Sequence, residues 1–213
     1  MTYHKKQQLI RYLQTLKSLG FEYHEDVDLH LVDQDEENLS LPDNLNDLQE
    51  VVENCSLCEL GKYSKNRFFS YGTSEAQLML IGDFPSTDNF NPFAGQSGKM
   101  LSDICHNVLK IKEEQIYYTS ILKCNLPASK EVHSDIVNCC TDYLIKQINI
   151  IQPQVVVIFD NATSQLLNTN KFTEDLTIIS TYSPSFLLRN PSQKKQALED
   201  FQKVKNILDK GIN

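Results

Sequence analysis

Short apolar runs alternate with longer amphipathic stretches along the chain from about residue 48. Four apolar runs predict β-strands, at 76–83, 115–124, 153–160 and 176–182. Four stretches with helical spacing of apolar residues predict helices, at 98–111, 135–151, 162–169 and 191–210. Such alternation is typical of a parallel sheet with helices on both faces. The pattern therefore predicts an α/β domain over residues 48–213, with three αβα layers and a mainly parallel central sheet.

The carboxyl ends of the predicted strands are the expected place for a site, because ligands bind there in open parallel sheets. Four segments follow those ends: GDFPSTD, SILKCNLP, FDNATS and TYSPSFLLRNP. The last of them places two leucines and an arginine on what reads as an exposed turn. That turn is a candidate binding loop by position alone.

The first 47 residues have a different pattern. Leu9, Ile10, Leu13 and Leu16 lie at helical spacing before Gly20, which predicts an amphipathic helix over 1–21. A helix this short is marginal in water, so it packs on its own domain or binds a protein partner through residues 3–21. Residues 22–47 are acidic and poor in apolar side chains, which predicts a flexible linker.

The formal net charge is −8, and it is unevenly distributed. Residues 1–50 hold four basic and eleven acidic side chains, whereas the rest of the chain is nearly balanced. Binding to DNA is therefore neither indicated nor excluded by charge. The chain has no apolar run long enough for a membrane span and no signal-peptide pattern, so we expect a cytoplasmic monomer with no membrane contact.

Six cysteines in such a chain call for a chemical explanation other than disulfides. Cys55 and Cys58 form a CxxC motif, Cys124 follows the second strand, and Cys139 and Cys140 lie in a helix. Four thiolates from such dispersed positions suit either zinc or a 4Fe-4S cluster, and their spacing does not choose between the two. Cys105, on the apolar face of another helix, is expected to be an inert core thiol.

The ordered motifs CSLCEL, LMLIGDFPSTD, NPFAGQSGKML, YYTSILKCNLP, CTDYLIKQINIIQPQVVVIFD and TYSPSFLLRNP resemble family 4, the iron-sulfur branch of the uracil-DNA glycosylase superfamily. The resemblance runs from about Cys55 to the C-terminus. It implies a glycosylase-like fold, a role in DNA repair or replication, and a 4Fe-4S cluster. The implied cluster ligands are Cys55, Cys58, Cys124 and Cys140, which leaves Cys139 as a spare thiol.

The resemblance also implies where a flipped base and its sugar would lie. The family turn Gly-Glu-x-Pro-Gly corresponds to Gly82, Asp83, Phe84, Pro85 and Ser86, with Asp83 in the place of the catalytic carboxylate. Ser86 replaces a glycine that permits close backbone approach. Phe93 matches the aromatic residue that stacks on the base. The phosphate-contacting turn corresponds to Gly95, Gln96, Ser97 and Gly98.

Two substitutions distinguish this chain from the family pattern. Ser120 stands where the family has the asparagine that reads the uracil edge, and a hydroxyl cannot both donate and accept as an amide does. Ser183 stands where the family has the histidine that assists the leaving base, and losing one such donor costs about 10²–10³ in rate. We therefore expect uracil excision to be weak or lost.

The loop after the fourth strand matches the family segment that enters the duplex beside a flipped base. The implied DNA contacts there are Pro184, Ser185, Leu187, Leu188 and Arg189. Apolar side chains that fill the vacated stack offset part of the unstacking cost. The alternative is the start of a helix packed on the core.

Two functions remain open from the sequence. One is a divergent glycosylase that uses Asp83 and Phe93 and reads a base through Ser120 and Ser183. The other is a non-catalytic replication protein that docks through its N-terminal helix, whose sequence RYLQTLKSLGFEY is similar in style to the docking peptide of the psi subunit of the bacterial DNA polymerase III clamp loader.

Overall fold

The computed structural model describes most of the chain. The described residues are 41–85, 90–126, 131–160, 162–165 and 176–210, with Leu9, Ile10, Tyr12, Leu13, Leu16, Lys17, Gly20, Leu167 and Phe172. Most of the predicted linker over 22–47 lies outside them. Within the described part of the chain, no helix combines the length and apolar composition that crossing a bilayer requires.

A five-stranded sheet forms the centre of the domain. Its strands are β1 (Tyr71–Gly72), β2 (Leu78–Gly82), β3 (Ile116–Ser120), β4 (Val155–Asp160) and β5 (Thr177–Tyr182). They lie in the order β1-β3-β2-β4-β5, with β3, β2, β4 and β5 parallel and β1 antiparallel to β3. The predicted, mainly parallel sheet is confirmed. The sequence pattern missed β1, because a two-residue strand leaves no hydrophobic run.

Seven α-helices surround the sheet in the described structure: α1 (Leu45–Glu53), α2 (Glu59–Tyr63), α3 (Gly95–Asp103), α4 (Ser134–Ile151), α5 (Ala162–Gln165), α6 (Pro184–Arg189) and α7 (Lys194–Lys210). Helix α3 continues as a π-helical turn over Ile104–Leu109. Leu144 and Ile148 of α4 belong to the core on one face of the sheet. Leu101 of α3 and Phe201 of α7 belong to the core on the other face. The predicted three-layer arrangement is confirmed.

Three segments differ from their predicted extents. Helix α1 begins at Leu45, inside the predicted linker, because Leu48, Val51 and Val52 have core to bury against. Strand β3 ends at Ser120 rather than at Cys124, and Cys124 instead forms an isolated bridge with Arg67. The helix predicted over 162–169 is described only as the four residues of α5.

The N-terminal segment is helical at the positions that the structure describes, which include Leu9, Ile10, Leu13 and Leu16. Leu9 is buried, with 8% of its surface exposed. The apolar face of this segment is therefore covered at Leu9, and its packing on the domain or on a protein partner stays a prediction.

The loop before α3 depends on two glycines. Gly95 has a φ of +67°, a conformation that side chains other than glycine rarely adopt. A Cβ atom at Gly98 would lie 2.0 Å from the carbonyl carbon of Phe93 and 2.3 Å from its oxygen. The backbone of α3 can therefore approach the loop only because residue 98 has no side chain.

We predict that Gly98→Ala lowers the free energy of unfolding by about 1–3 kcal/mol, because the added methyl group must displace backbone rather than a mobile side chain. Urea unfolding of the variant and of the unmodified protein measures the difference. Lys99→Ala is the matched control, since Lys99 is exposed on the same helix. Equal midpoints for Gly98→Ala and Lys99→Ala would contradict the prediction.

Candidate functional site

A cavity of about 210 Å³ lies at the carboxyl ends of β2 and β5. It brings together predicted site residues from three separate segments: Gly82, Asp83, Ser97, Ser183, Pro184 and Ser185. These six residues therefore lie together at this edge of the sheet, and their role as a site stays a prediction. The wall of this cavity is rich in hydroxyl groups and contains one carboxylate, that of Asp83.

A second cavity of about 160 Å³ lies beside the first. Among the predicted residues it contains Pro85, Ser97 and Ser120. Four aromatic residues, Phe68, Phe84, Phe90 and Tyr118, form part of its wall, and the amide side chain of Asn91 also lines it. Ser86, the remaining member of the predicted turn, lies outside the described residues.

Ser120 is held from within the protein. Its side chain is 1% exposed, and its hydroxyl donates a hydrogen bond of 2.6 Å to the carbonyl of Leu122. The carbonyl of Ser120 accepts a hydrogen bond of 2.8 Å from the ammonium group of Lys123. The hydroxyl proton is therefore committed to the backbone, and only lone pairs are left for a ligand.

Lys123 is itself buried, and burial lowers the pKa of its ammonium group to about 7. It also donates to Thr119 Oγ1 and to Gln147 Oε1, each at 2.7 Å. Gln147 in turn donates to the carbonyl of Phe69 at 3.0 Å. This network fixes the end of β3 against α4.

Ser183 has a structural role that its sequence position did not reveal. It is the N-cap of α6, and its hydroxyl oxygen accepts a hydrogen bond of 3.2 Å from the backbone N–H of Phe186. A second contact of 3.1 Å joins its hydroxyl to that of Ser185. Pro184 follows at the first helical position, where proline is well suited.

The predicted stacking residue lies away from both cavities. Phe93 lines neither of them and instead meets Tyr71 edge-on, with ring centroids 5.6 Å apart. It also packs against the core beneath α3 and α7. Phe93 is thus partly buried against the core in this structure, and its role on a flipped base stays a prediction.

The exposed turn expected at residues 183–191 is instead the short helix α6. Leu187 is 2% exposed because its side chain packs into the domain, as the alternative of a helix start on the core expects. Leu188 is 38% exposed, and Arg189 is exposed at the end of the helix. Ser185, Leu188 and Arg189 are thus the members of the predicted set that are exposed, with Lys194 and Lys195 exposed just beyond them.

The four predicted cluster ligands lie near one another. Burial first, and then the neighbouring thiols Cys55, Cys58 and Cys124, raise the pKa of Cys140. Burial first, and then the neighbouring thiols Cys55 and Cys58, raise the pKa of Cys124 to about 11. These mutual effects require the four sulfurs to share one neighbourhood, and no disulfide joins any of them in the described structure.

Cys58 differs from its neighbours. A hydrogen bond with Cys139, followed by smaller effects of backbone amides and of Arg67, lowers the pKa of Cys58 to about 6 despite partial burial. The Arg67 guanidinium also donates to the carbonyl of Cys55, at 2.7 and 3.0 Å, and to that of Gly61 at 2.6 Å. Arg67 therefore stabilises the conformation of the CxxC loop and places a positive charge beside the thiols.

No group of three or more His, Cys, Asp or Glu side chains in the described residues is arranged to hold a single metal ion. A 4Fe-4S cluster is held by four thiolates on different irons, so its ligands are spread more widely than those of one zinc ion. Cys105 lies apart from the other five, fully buried in the core, where burial and Glu113 raise its pKa to about 12. Its predicted place in the core is confirmed.

The comparisons with known proteins agree with this geometry. A sequence profile for the uracil DNA glycosylase superfamily matches residues 69–205. A type-4 uracil-DNA glycosylase of Saccharolobus solfataricus is 29% identical over 78% of this chain and 87% of its own length. Those of Thermotoga maritima and Archaeoglobus fulgidus are 26% and 24% identical, over 76% and 79% of this chain and 94% and 95% of their own lengths.

We predict that Ser183→Ala lowers the free energy of unfolding by about 1 kcal/mol, because the N–H of Phe186 loses its capping acceptor. Ser183→Asn is the matched variant and should retain most of the stability, since asparagine also caps helices. Chemical denaturation of the three proteins gives the comparison. An alanine variant as stable as the asparagine variant would show that the cap contributes nothing.

Proposed function

Because the chain belongs to the uracil-DNA glycosylase superfamily, we propose that it is a DNA-binding, iron-sulfur protein of DNA repair in which uracil excision is weak or lost. The observation that carries the proposal is that both serines at the base-reading and leaving-group positions already serve the protein's own backbone.

Reading a uracil edge requires a group that donates and accepts at once. Ser120 offers one hydroxyl, and that hydroxyl donates to Leu122. At this position a base meets an acceptor instead of the family amide. Ser120 by itself therefore cannot make the two-point contact that selects uracil.

Departure of a base as an anion requires a donor aimed at the developing charge. The Ser183 hydroxyl has a proton to give, but its oxygen is fixed by the N-cap contact and its proton has Ser185 as a neighbour. Asp83 remains beside it in the first cavity, where a carboxylate supports positive charge on the sugar. The carboxylate that supports the sugar is thus retained, and the donor to the departing base is weakened.

The cysteine site fits a 4Fe-4S cluster held by Cys55, Cys58, Cys124 and Cys140. Burial and the neighbouring thiols raise the pKa values of Cys124 and Cys140, so both are unfavourable as thiolates until a metal centre supplies positive charge. When bound, the cluster ties together the CxxC loop, the segment after β3 and helix α4. Cys139, whose hydrogen bond lowers the pKa of Cys58, is expected to support a ligand rather than to be one.

The DNA-facing surface is the end of α6 and the start of α7. Arg189, Lys194 and Lys195 are exposed there beside the half-exposed Leu188. Exposed positive side chains suit phosphate contacts. The hypothesis of a replication subunit that docks through residues 3–21 is less favoured, since Leu9, on the apolar face of that segment, is already buried.

We predict that the unmodified protein excises uracil from single-stranded DNA about 10³-fold or more slowly than the Saccharolobus solfataricus enzyme, because two preorganised groups are missing. The test is a single-turnover assay in which both proteins are in excess over DNA. Ser120→Asn combined with Ser183→His should raise the rate, and adding Asp83→Asn to that pair should remove the gain. Comparable rates for the unmodified protein and the relative would refute the proposal.

We also predict that Cys124→Ala abolishes the brown colour, lowers bound iron and acid-labile sulfide, and lowers the melting temperature, because the cluster joins distant segments. Cys105→Ala is the matched control and should keep its iron. Iron content after anaerobic purification and thermal unfolding measure the two effects. Full iron content in Cys124→Ala would contradict the ligand assignment.

A further inference from the structure

Tyr118 lies at the boundary between the two cavities. It lines both of them, together with Phe84, Pro92 and Ser97. Asp83 and Ser183 lie only in the first cavity, and Ser120 lies only in the second. Tyr118 is therefore one of four residues on the boundary between the candidate catalytic side and the candidate base-reading side.

The sequence places Tyr118 in this position. Side chains two residues apart on a strand point to the same face, so Tyr118 shares the face of Ser120, whereas Tyr117 and Thr119 face α4. The phenol extends toward the carboxyl end of β2. A Cβ atom on Gly82 would lie 2.3 Å from the Tyr118 hydroxyl oxygen, so the absence of a side chain at residue 82 is what admits this hydroxyl.

Aromatic neighbours hold the ring in place. The Phe68 ring lies 6.1 Å from that of Tyr118, centroid to centroid, and Phe90 stacks on Phe68 at 5.6 Å. Burial first, and then the nearby carboxylate of Asp83, raise the pKa of Tyr118 to about 12. The phenol is therefore neutral at physiological pH and behaves as a rigid, uncharged wall.

Glycosidic cleavage requires one nucleotide to meet both groups at once. Its base must reach the edge-reading residue while its sugar lies beside the carboxylate, and a misplacement of about 1 Å can cost about 10²-fold in rate. A planar base seated between the aromatic side chains at Ser120 has the Tyr118 ring between itself and the first cavity. Its sugar is then held away from Asp83.

We propose that Tyr118 is a specificity-determining residue that divides the site, so that the aromatic cavity holds an unpaired planar base out of reach of Asp83. The inference rests on the proposed function and adds a third cause of weak excision, independent of the two serines. It also assigns the second cavity a ligand class, a flipped base that is bound without being cleaved.

The test adds Tyr118→Val to the pair Ser120→Asn and Ser183→His, in the full chain with its cysteine site intact. At saturating protein, we expect the single-turnover rate on uracil-containing single strands to rise about tenfold or more over that of the pair alone, because the two cavities merge. Tyr63→Val in the same pair is the control, since Tyr63 is 78% exposed and lines neither cavity. It should give no such rise.

A second substitution separates the ring from its hydroxyl. Tyr118→Phe keeps the wall, so its rate should stay well below that of Tyr118→Val, and an equal gain from both would overturn the proposal. Absence of any gain in a Tyr118→Val protein with an unchanged melting temperature would also overturn it. Tyr118→Leu replaces the valine variant if that one does not fold, with the same expected rise and the same refuting result.

The unmodified protein distinguishes the two levels of inference. Efficient excision by the unmodified protein would refute the proposed function. Slow excision by the unmodified protein, with no increase in rate when Tyr118→Val is added to the pair, would refute only the role of Tyr118.

Discussion

The buried ammonium group of Lys123 is the interaction on which the site depends. Only 2% of its residue surface is exposed, and three oxygen atoms on Thr119, Ser120 and Gln147 accept its hydrogen bonds. A buried charge is tolerated only when its hydrogen-bonding capacity is met, so the end of β3 cannot move relative to α4 without exposing this group to an unfavourable environment. The base-reading position and the cysteine site inherit their geometry from that constraint.

Lys123 also lies between the second cavity and the cysteine site along the chain. Ser120 precedes it by three residues and Cys124 follows it directly, so one short segment supplies the floor of the second cavity and a candidate cluster ligand. Cys140 lies near enough to raise the pKa of the Lys123 ammonium group in opposition to burial. A metal centre at the cysteines and a base at Ser120 would therefore be positioned by the same hydrogen bonds.

The sequence predicted the elements that carry long hydrophobic patterns and missed those that depend on contacts across the chain. β2 and β4 are uninterrupted apolar runs and α4 is long and amphipathic, so their pattern alone located them. The helical state of α6 and the burial of Leu187 depend on how the segment meets the domain, which a short stretch of polar and apolar letters does not encode. Tyr118 was missed although its signal was present, since the two-residue spacing from Ser120 already placed both on one face of β3.

The hydrogen bonds of Ser120 and Ser183 favour the folded loops and disfavour contact with a base. Ser120 and Ser183 are not simply shorter replacements for larger side chains, because each makes a short-range hydrogen bond to nearby backbone that an asparagine or histidine in a reading pose would have to give up. Each serine therefore stabilises its own loop while it weakens the contact with a base. Tyr118 acts in the same direction, since its ring packs against Phe68 and fills space between the cavities. Stability of the empty site and affinity for a reacting nucleotide are thus opposed at three positions, and a single substitution at any one of them leaves the other two in place.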